Sequence, residues 1–469
     1  SCGHKIKGYL RDWNLYNGFN LFFVEKFKVY RYNIFCKKKL KRKERWMIEG
    51  EMMTEQEFGQ AVASAGGRAY IVGGWVRDYL MGRNPHDKDY VITGLNQQKF
   101  QQVFPNSWLV GNAFPVFMAK IDDEHREVAL ARRERKKGTG YHGFVAESSS
   151  DITIQEDLYR RDLTVNSMAM DVLTQELVDP YHGQADIREG ILQPVSEHFC
   201  EDPVRALRAA RFNAKLGFVP TPKLLQYMKA CEEELLQEPS ERIFGELKKA
   251  LAYPKPTAYF RLLNEAGILE AVHPEIYALI GQAQPVEYHP EGDAFEHSML
   301  ILAKVAERTT NLVARFCALC HDLGKGETPA EMLPHHYGHE VKGLTVLSHW
   351  NSRMTLPNRW VKAAKYVITQ HMRAPRLSKP GKISQLLMSM DAISQELPVE
   401  DFKIIIEADH HSLPPYLLYA QEGIDRLKAI TGREAPENIK GPAVGQWLEQ
   451  ERTKLCRVWL GEINNRSLR

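Results

Sequence analysis

Residues 69–92 combine apolar runs with residues suited to binding phosphates and metal ions. Ala69–Val72 is a short apolar run typical of a strand, Gly73-Gly74 follow it, and residues 75–81 have helical spacing. Two glycines at this point let the backbone approach a ligand closely, and the amides at the start of a helix can bind a phosphate. The pattern predicts a strand, a glycine turn and a helix beside a phosphate.

Two aspartates follow the glycine turn at short range. Asp87 and Asp89 come immediately before the apolar run Tyr90–Ile92. Alternate residues of a strand point the same way, so both carboxylates are expected to face one side and hold a divalent metal against a triphosphate. A hairpin is expected over residues 116–132. Glu127 in its second strand is a candidate third carboxylate, and a solvated residue at a sheet edge is the alternative.

A later segment offers a way to read a nucleobase. Asp202 and Arg205 are three residues apart, so we expect them to lie side by side on one helix face. The carboxylate can accept from the amino group of cytosine or adenine, and the guanidinium can donate to the ring nitrogen. Uracil and guanine present the reverse pattern. The pair would therefore select C and A, and the alternative is an ordinary ion pair between neighbours.

Composition limits the class of protein. The chain has 469 residues, of which 43% are hydrophobic and 26% charged, and this length corresponds to roughly three domains. No stretch approaches the roughly 18 uncharged apolar residues of a membrane helix. The seven cysteines are scattered along the chain, which favours reduced thiols and a cytoplasmic protein.

The first 46 residues differ from the rest. They hold thirteen basic and three acidic residues together with eleven aromatic ones, and no helical or strand period persists through them. We interpret residues 1–52 as an extension that does not belong to the native protein. A basic, aromatic arm for RNA or a targeting segment is the alternative.

The second half carries a series of histidines and aspartates on segments with helical spacing. Imidazole and carboxylate ligands in this order are typical of a divalent metal site, suited to Ni²⁺, Mn²⁺, Co²⁺ or Mg²⁺. The residues are His297, His321, Asp322, His335, His336, His339, His371 and Asp409.

Five ordered motifs between about residue 68 and residue 420 carry a resemblance. They are Gly73-Gly74, Asp87-Lys88-Asp89, Arg160–Ala169, Glu201–Phe212 and the pair His321-Asp322. The first four resemble the class II tRNA nucleotidyltransferases, the CCA-adding enzymes of the polymerase-β-like superfamily, and their relatives the bacterial poly(A) polymerases. The resemblance implies that the triphosphate and Mg²⁺ are bound by Gly73, Gly74, Arg77, Asp87 and Asp89. It also implies nucleotide contacts from Arg161, Arg208 and Arg211.

The fifth motif, His321-Asp322 followed by Leu-Gly-Lys-Gly, resembles the HD-domain phosphohydrolases. That resemblance implies metal ligands at His297, His321, Asp322 and Asp409. It also implies contacts to substrate or to a second metal from His335, His336 or His339. The two modules in this order are similar to those of the multifunctional CCA proteins.

The predicted fold is α+β, with a polymerase-β-like head, an all-α neck and body, and an all-α HD domain. The expected boundaries are an extension at 1–52, a head at 53–195, a neck and body at 196–285, an HD domain at 286–414 and a helical tail at 415–469.

The expected activity is addition of CCA to the tRNA 3′ end from CTP and ATP, with hydrolysis of phosphate esters, including 2′,3′-cyclic phosphates, in the HD domain. We expect a monomer or homodimer with no membrane partner. One alternative is a poly(A) polymerase or a partial CC- or A-adding enzyme, and the other is an RNA-binding HD hydrolase with an inactive head.

Overall fold

The computed structural model describes residues 53–110, 116–136 and 144–467. The expected extension at 1–52 lies outside these residues. The described residues divide into two compact units, one of residues 53–58 with 120–124 and one with the remaining described residues from 59 to 467. In the first unit the amide of Asp122 donates to the carbonyl of Met53 (2.9 Å). The Oδ1 atom of Asp122 accepts from the amide of Glu55 (3.0 Å).

The strands lie in the first half of the chain. They are Arg68–Val72 (β1), Asp89–Thr93 (β2), Trp108–Val110 (β3), Val116–Ile121 (β4), Glu124–Leu130 (β5), Arg132–Lys136 (β6), Phe144–Ser148 (β7), Ala169–Asp171 (β8), Leu177–Val178 (β9), Ile191–Leu192 (β10) and Val219–Pro220 (β11). The helices among them are Glu55–Ser64 (α1), Gly74–Leu80 (α2), Gln97–Val103 (α3), Ile154–Tyr159 (α4) and Gly183–Glu189 (α5). The expected strand, glycine turn and helix over 69–81 and the expected hairpin over 116–132 are confirmed.

A mixed sheet in the order β3-β4-β5-β2-β1-β8-β9 forms the centre of this region. Strand β1 pairs antiparallel with β2, and Val72 lies opposite Asp89. Strand β2 pairs parallel with β5, and Tyr90 lies opposite Val128. This register brings the end of β1, the start of β2 and the residue before Val128 to the same end of the sheet.

The rest of the described chain is helical. Its helices are Val204–Leu216 (α6), Pro222–Ala230 (α7), Glu232–Leu235 (α8), Ser240–Ala252 (α9), Thr257–Glu265 (α10), Leu269–Val272 (α11), Pro274–Tyr277 (α12), Ala294–Arg308 (α13), Leu312–Cys320 (α14), His339–Met354 (α15), Asn358–Gln370 (α16), Pro380–Ile393 (α17), Val399–His410 (α18), Pro415–Leu418 (α19), Ala420–Ala429 (α20) and Pro442–Ser467 (α21). Short 3₁₀ turns lie among these helices at Leu323–Glu327, Ala330–Met332, Ala374–Arg376 and Gly432–Glu434, and two more precede α6 at Thr164–Asn166 and Glu197–Glu201. The predicted succession of a mixed α+β head and a helical remainder is confirmed.

One apolar core runs through the helical half and includes the last helix. Trp459 is buried on α21, and its ring packs where Gly423 on α20 has no side chain. Burial of a side chain of this size stabilises the docked helix by about 2 kcal/mol or more. Helix α21 is therefore part of the folded body. None of the described helices combines the length and apolar character that crossing a membrane requires.

Candidate active sites

A cavity of about 830 Å³ lies at the end of the sheet, where the head meets the first helices. Its walls contain all but one of the residues that the sequence predicted for the nucleotide and its metal: Gly73, Gly74, Arg77, Asp89, Glu127, Arg161, Asp202, Arg205, Arg208 and Arg211. The exception is Asp87, which is exposed and lies just before β2. Residues far apart in the sequence thus line one space.

The acidic end of the cavity differs from the expectation in one respect. Strand β2 begins at Asp89, so Asp87 is outside the strand, and the expectation that both share one strand face is wrong. The reason is that β1 ends at Val72, opposite Asp89, and its chain turns away at Gly73 with φ 71°, which leaves the residues before Asp89 without a partner on β1.

Asp89 lies in an acidic environment. Desolvation by the surrounding protein raises the pKa of Asp89, and the carboxylate of Glu127, followed by that of Asp87, raises it further. The opposing effect of Arg161 is smaller than that of Glu127. Crowded carboxylates of this kind fit a divalent cation, because the cation offsets their mutual repulsion.

Arg77 lies beneath the glycine turn. Its side chain is buried, and its guanidinium donates to Asn166 Oδ1 (2.5 Å) and to both oxygens of Asp78 (3.0 and 2.9 Å). Lys215 on α6 binds the same Asp78 (2.8 Å). Arg77 therefore ties the turn to neighbouring elements, and its predicted contact with the nucleotide stays a prediction.

Buried carboxylates hold the arginines of the cavity wall. Asp157 pairs with Arg160 (2.6 Å) and with Arg161 (3.1 Å). Burial raises the pKa of Asp157, but the two guanidinium groups outweigh burial and bring it to about 2. The carboxylate is thus ionised at neutral pH and fixes the direction of both arginines.

The other two arginines are held in the same way. Arg208 pairs with the buried Asp162 (2.7 Å), and Arg211 pairs with the buried Glu246. Burial acts to raise the pKa of Asp162, but Arg208, together with Arg205 and Asn166, outweighs burial and holds the pKa well below its ordinary value. The sequence analysis missed Asp157, Asp162 and Glu246. Asp162 directly follows Arg161, and Asp157 stands three residues before Arg160 and four before Arg161 in the printed sequence, which is a signal that could have identified them.

The base-reading pair is arranged differently from the expectation. Helix α6 begins at Val204, so Asp202 is an extended residue before the helix, and the expectation of one shared helix face is wrong. Pro203 occupies the N-cap, and Asp202 Oδ1 instead accepts from the amide of Val204 (3.2 Å). Arg205 donates to the carbonyl of His198 (2.5 Å).

Asp202 has a partner that the sequence did not indicate. Both of its carboxylate oxygens accept from Nη2 of Arg242 on α9, at 3.0 and 2.9 Å. Arg242 in turn binds the buried carboxylate of Glu238 through Nη1 (2.5 Å). Arg242 also lines the cavity, so the candidate base-reading group has a third member.

A second cluster lies among the helices of the other half. The structure brings together the four predicted ligands, since His297 Nε2 is 3.1 Å from Asp409 Oδ1 and 3.2 Å from His321 Nε2. Asp322 Oδ2 lies 3.2 Å from His321 Nε2 and 3.6 Å from His297 Nε2. These residues come from the start of α13, the ends of α14 and α18, and the turn after α14.

The cluster is larger than predicted. His339 Nε2 and His371 Nε2 each lie 3.3 Å from Oδ1 of Asp322, on the side away from His297. In the described part of the chain, neither Asp322 Oδ1 nor Asp409 Oδ2 accepts a hydrogen bond, although both are buried. Buried carboxylate oxygens in this state fit a bound cation. His371 belongs to the series of candidate metal-site residues in the sequence but was not among the four predicted ligands, and the end of α16 meets the cluster only through tertiary packing.

The imidazoles of the cluster are oriented by their second nitrogens. Each Nδ1 faces a hydrogen-bond acceptor and each Nε2 is directed into the cluster, so an imidazole protonated at Nδ1 presents Nε2 to a metal. The acceptors are Glu291 Oε1 for His297 (2.5 Å), Ala318 O for His321 (2.7 Å), His336 O for His339 (2.8 Å) and Ile368 O for His371 (2.9 Å).

The remaining predicted histidines lie beside the cluster. His336 bonds through its two ring nitrogens to Thr328 Oγ1 (2.7 Å) and Ala283 O (3.0 Å), and His335 is exposed. Lys325, which was not singled out, is buried between Asp322 Oδ2 (2.6 Å) and Gln284 Oε1 (2.6 Å). Burial acts to raise the pKa of Asp322, but its interactions with the neighbouring His321 and Lys325 side chains hold it well below its ordinary value.

Three family models match consecutive parts of the chain. They are described as the poly A polymerase head domain (residues 69–193), a probable RNA and SrmB-binding site of polymerase A (217–279) and the HD domain (295–411). A multifunctional CCA protein of Acinetobacter baumannii (strain AYE) is 38% identical over 400 residues, covering 82% of this chain and 96% of the relative.

A multifunctional CCA protein of Laribacter hongkongensis (strain HLHK9) is 38% identical over 391 residues, covering 80% of this chain and 95% of the relative. Among solved structures, the CCA-adding enzyme of Bacillus stearothermophilus in complex with CTP superimposes with a TM-score of 0.60 at 24% identity. That superposition covers 87% of this chain and 96% of the other. The fold is therefore shared along most of the chain.

Proposed function

The chain belongs to the multifunctional CCA protein family, and we propose which activity of that family each of its two sites carries out. The head adds CCA to the 3′ end of tRNA from CTP and ATP. The HD domain is a phosphohydrolase. A poly(A)-adding or partial enzyme, and an RNA-binding hydrolase with an inactive head, are not favoured by these relatives.

One observation carries the assignment of residues in the head. A single cavity contains the glycine turn, the acidic pair Asp89 and Glu127, and an arginine wall held by buried carboxylates. A nucleoside triphosphate needs a divalent cation for its phosphates, fixed positive charge for its oxygens and a polar group for its base. The cavity offers each of these in a different part of its wall.

The phosphate end contains the acidic and basic side chains. We assign Asp87 and Asp89 as ligands of Mg²⁺ and Glu127 as a neighbouring carboxylate. When bound, the metal would lower the pKa of the RNA 3′ hydroxyl and stabilise the negative charge of the pyrophosphate leaving group. Arg161, Arg208 and Arg211 face the nucleotide with directions fixed by Asp157, Asp162 and Glu246, so positive charge is in place before the reaction begins.

The base end contains Asp202, Arg205 and Arg242. Asp202 accepts from the amino group of cytosine or adenine, and Arg205 donates to the ring nitrogen. Arg242 holds the carboxylate of Asp202 in one orientation. Uracil and guanine bring an acceptor to Asp202 and a donor to Arg205, which leaves buried polar groups unpaired, and each such group costs about 1–3 kcal/mol.

In the HD domain we assign His297, His321, Asp322 and Asp409 as the residues that would hold a divalent metal, which when bound would supply activation of a water for attack on a phosphate ester. The metal is Ni²⁺, Mn²⁺, Co²⁺ or Mg²⁺ in this proposal. His339 and His371 approach the other oxygen of Asp322, where they are positioned to hold a second cation or a phosphate oxygen. Lys325 supplies positive charge beside the same carboxylate.

The test of the head uses tRNA transcripts that lack the CCA end. The protein is incubated with each nucleotide alone and with CTP and ATP together, and the products are sequenced. CCA ends from the mixture, with C additions only from CTP alone, support the proposal. Long A tails from ATP would contradict it.

The test of the HD domain uses 2′,3′-cyclic AMP with each of the four metals in turn after treatment with a chelator. Metal-dependent release of a phosphomonoester supports the proposal, and the metal that gives the highest rate identifies the preference. We further propose a cytoplasmic location, supported by free thiols at Cys200, Cys231, Cys317, Cys320 and Cys456, and a monomer or homodimer.

A further inference from the structure

Residues 82–88, here called the Asp87 segment, connect α2 to β2 without regular secondary structure. The segment carries one of the two carboxylates proposed to hold Mg²⁺, and that residue is exposed. Strand pairing does not fix it, because β1 ends opposite Asp89. A ligand that is free to move binds a metal ion more weakly, since binding must then remove that freedom. Contacts from outside the segment therefore decide how well Asp87 is placed.

Trp75, the residue directly after the glycine turn, supplies two of these contacts. Its indole Nε1 donates to the carbonyl of Pro85 (3.0 Å), two residues before Asp87. The Nζ atom of Lys88, one residue after Asp87, lies over the Trp75 ring at 4.9 Å from the centroid. A cation in this place is attracted by the negative face of the ring. Trp75 thus holds the chain on both sides of Asp87.

The position of Trp75 is itself well defined. Helix α2 packs against β1 and against the turn Thr164–Asn166. One turn further along α2, the ring of Tyr79 stacks on that of Trp75, with centroids 5.0 Å apart and planes inclined by 9°. The indole is therefore a fixed donor for the more loosely built segment beside it.

A second contact joins the Asp87 segment to the central sheet. Arg126 on β5 donates through Nη1 to the carbonyl of His86 (2.6 Å), and His86 directly precedes Asp87. Arg126 in turn directly precedes Glu127. The segment is thus attached to the helix that follows the glycine turn and to the strand that carries the third acidic residue.

We infer that Trp75 is a positioning residue of the head site, which holds Asp87 in place beside Asp89 for a divalent cation. The inference rests on the proposed nucleotidyl transfer by the head. In the described part of the chain, Trp75 is not among the residues that line the head cavity. Its effect on nucleotide addition is therefore exerted through the Asp87 segment and not by contact with the nucleotide.

The first measurement is the Mg²⁺ dependence of CCA addition by the full-length protein at saturating CTP and ATP. Trp75→Ala should raise the Mg²⁺ concentration for the half-maximal rate about tenfold, as expected for loss of a hydrogen bond and a cation–π contact. The rate at saturating Mg²⁺ should stay within about threefold of the wild type, because Asp87 is still present to bind the ion.

Two further variants make the comparison specific. Trp75→Phe keeps a ring for Lys88 and loses the N–H donor, so its shift in Mg²⁺ dependence should lie between those of the wild type and Trp75→Ala. Trp108→Ala removes another partly exposed tryptophan of the head and is the matched control. It should leave the Mg²⁺ dependence unchanged.

The second measurement does not need activity. Trypsin cleaves after Arg83 and Lys88, and it can cut the Asp87 segment only when the segment leaves Trp75. In the metal-free protein, mass spectrometry should show cleavage at these two bonds about tenfold faster for Trp75→Ala than for the wild type. Cleavage at other bonds should be unchanged, which excludes general unfolding as the cause.

Three results would overturn the inference. The first is a lower rate of Trp75→Ala by one common factor at every Mg²⁺ concentration, which indicates a merely structural role. The second is an equal shift in Trp108→Ala, and the third is cleavage of the segment in Trp75→Ala at the wild-type rate. If the wild type adds no nucleotide at any Mg²⁺ concentration, the proposed function of the head fails, and the trypsin experiment still decides whether Trp75 holds Asp87 in place.

Discussion

Asp202 and Arg242 are joined through both carboxylate oxygens, at 3.0 and 2.9 Å from a single guanidinium nitrogen. The residue proposed to read the base is therefore held by a side chain 40 positions later in the sequence. Arg242 is itself held by Glu238, whose side chain is 1% exposed. An anchored carboxylate keeps one set of lone pairs in place, which is what discrimination between amino and keto groups requires.

The first prediction concerns Asp202. Asp202→Ala should lower kcat/KM for CTP and ATP by roughly tenfold to a hundredfold and raise the relative incorporation of UTP and GTP, because the amino group loses its acceptor. Primer extension with each nucleotide in turn measures this. Slower addition of all four nucleotides by one common factor would show that Asp202 supports Arg242 and does not read the base.

The second prediction concerns Arg242. Arg242→Lys keeps the charge but loses the planar donor group, so we expect about a tenfold rise in the KM for CTP and ATP with kcat nearly unchanged. Glu238→Gln is the matched variant, since it keeps Arg242 and weakens only its anchor, and its effect should be smaller. A fall in kcat with constant KM would contradict this positioning role.

The third prediction separates the two sites. Asp89→Ala should lower CCA addition at least a hundredfold and leave hydrolysis of 2′,3′-cyclic AMP within twofold of the wild type, because its carboxylate lines only the head cavity. Asp322→Ala should do the reverse. Both activities are measured on the same preparations. Loss of both activities in either folded variant would refute independent sites.

The fourth prediction concerns the basic segment at the start of the sequence. A chain beginning at Met53 should fold and add CCA at a rate within twofold of the full chain, since no proposed site residue precedes Gly73. A tenfold loss of tRNA affinity at low salt that shrinks steeply as salt is added would instead identify residues 1–52 as an RNA-binding arm.

The fifth prediction concerns the buried His273. Burial, with a smaller effect from Arg353, lowers its pKa from 6.5 to about 3. The neutral ring packs beside Tyr259, whose hydroxyl lies 3.3 Å from Nε2. Between pH 3 and 6.5 the unfolded chain binds a proton that the folded chain does not, so the stability contributed by this residue falls as pH decreases through that window.

The difference between pH 7.5 and pH 5 should be about 2 kcal/mol. The free energy of unfolding, measured with urea at the two pH values, should therefore fall by about that much more for the wild type than for His273→Gln, which has no titrating ring. His349→Gln, at an exposed position, serves as the control and should follow the wild type. Parallel behaviour of His273→Gln and the wild type would refute the assignment.

The sequence by itself determined the local elements and most of the site residues. Gly73 and Asp89 stand at the ends of apolar runs, and the hydrophobic periods that create β1, α2 and β2 are local properties of the chain. The pair His321-Asp322 was recognisable for a similar reason, because its signal lies in adjacent residues. Fold class followed from the change of period along the chain.

The tertiary structure decided which side chains meet. Asp87 falls outside β2 because the neighbouring strand β1 ends at Val72, opposite Asp89, and its chain turns away at Gly73. The residues around Asp87 carry no local pattern that indicates where β1 ends. Arg242 reaches Asp202, and His371 reaches Asp322, through helices packed from distant parts of the chain. Side-chain pairing of this kind depends on helix packing angles and on the exclusion of water, and both are set by the whole core, not by the residues on either side of the pair.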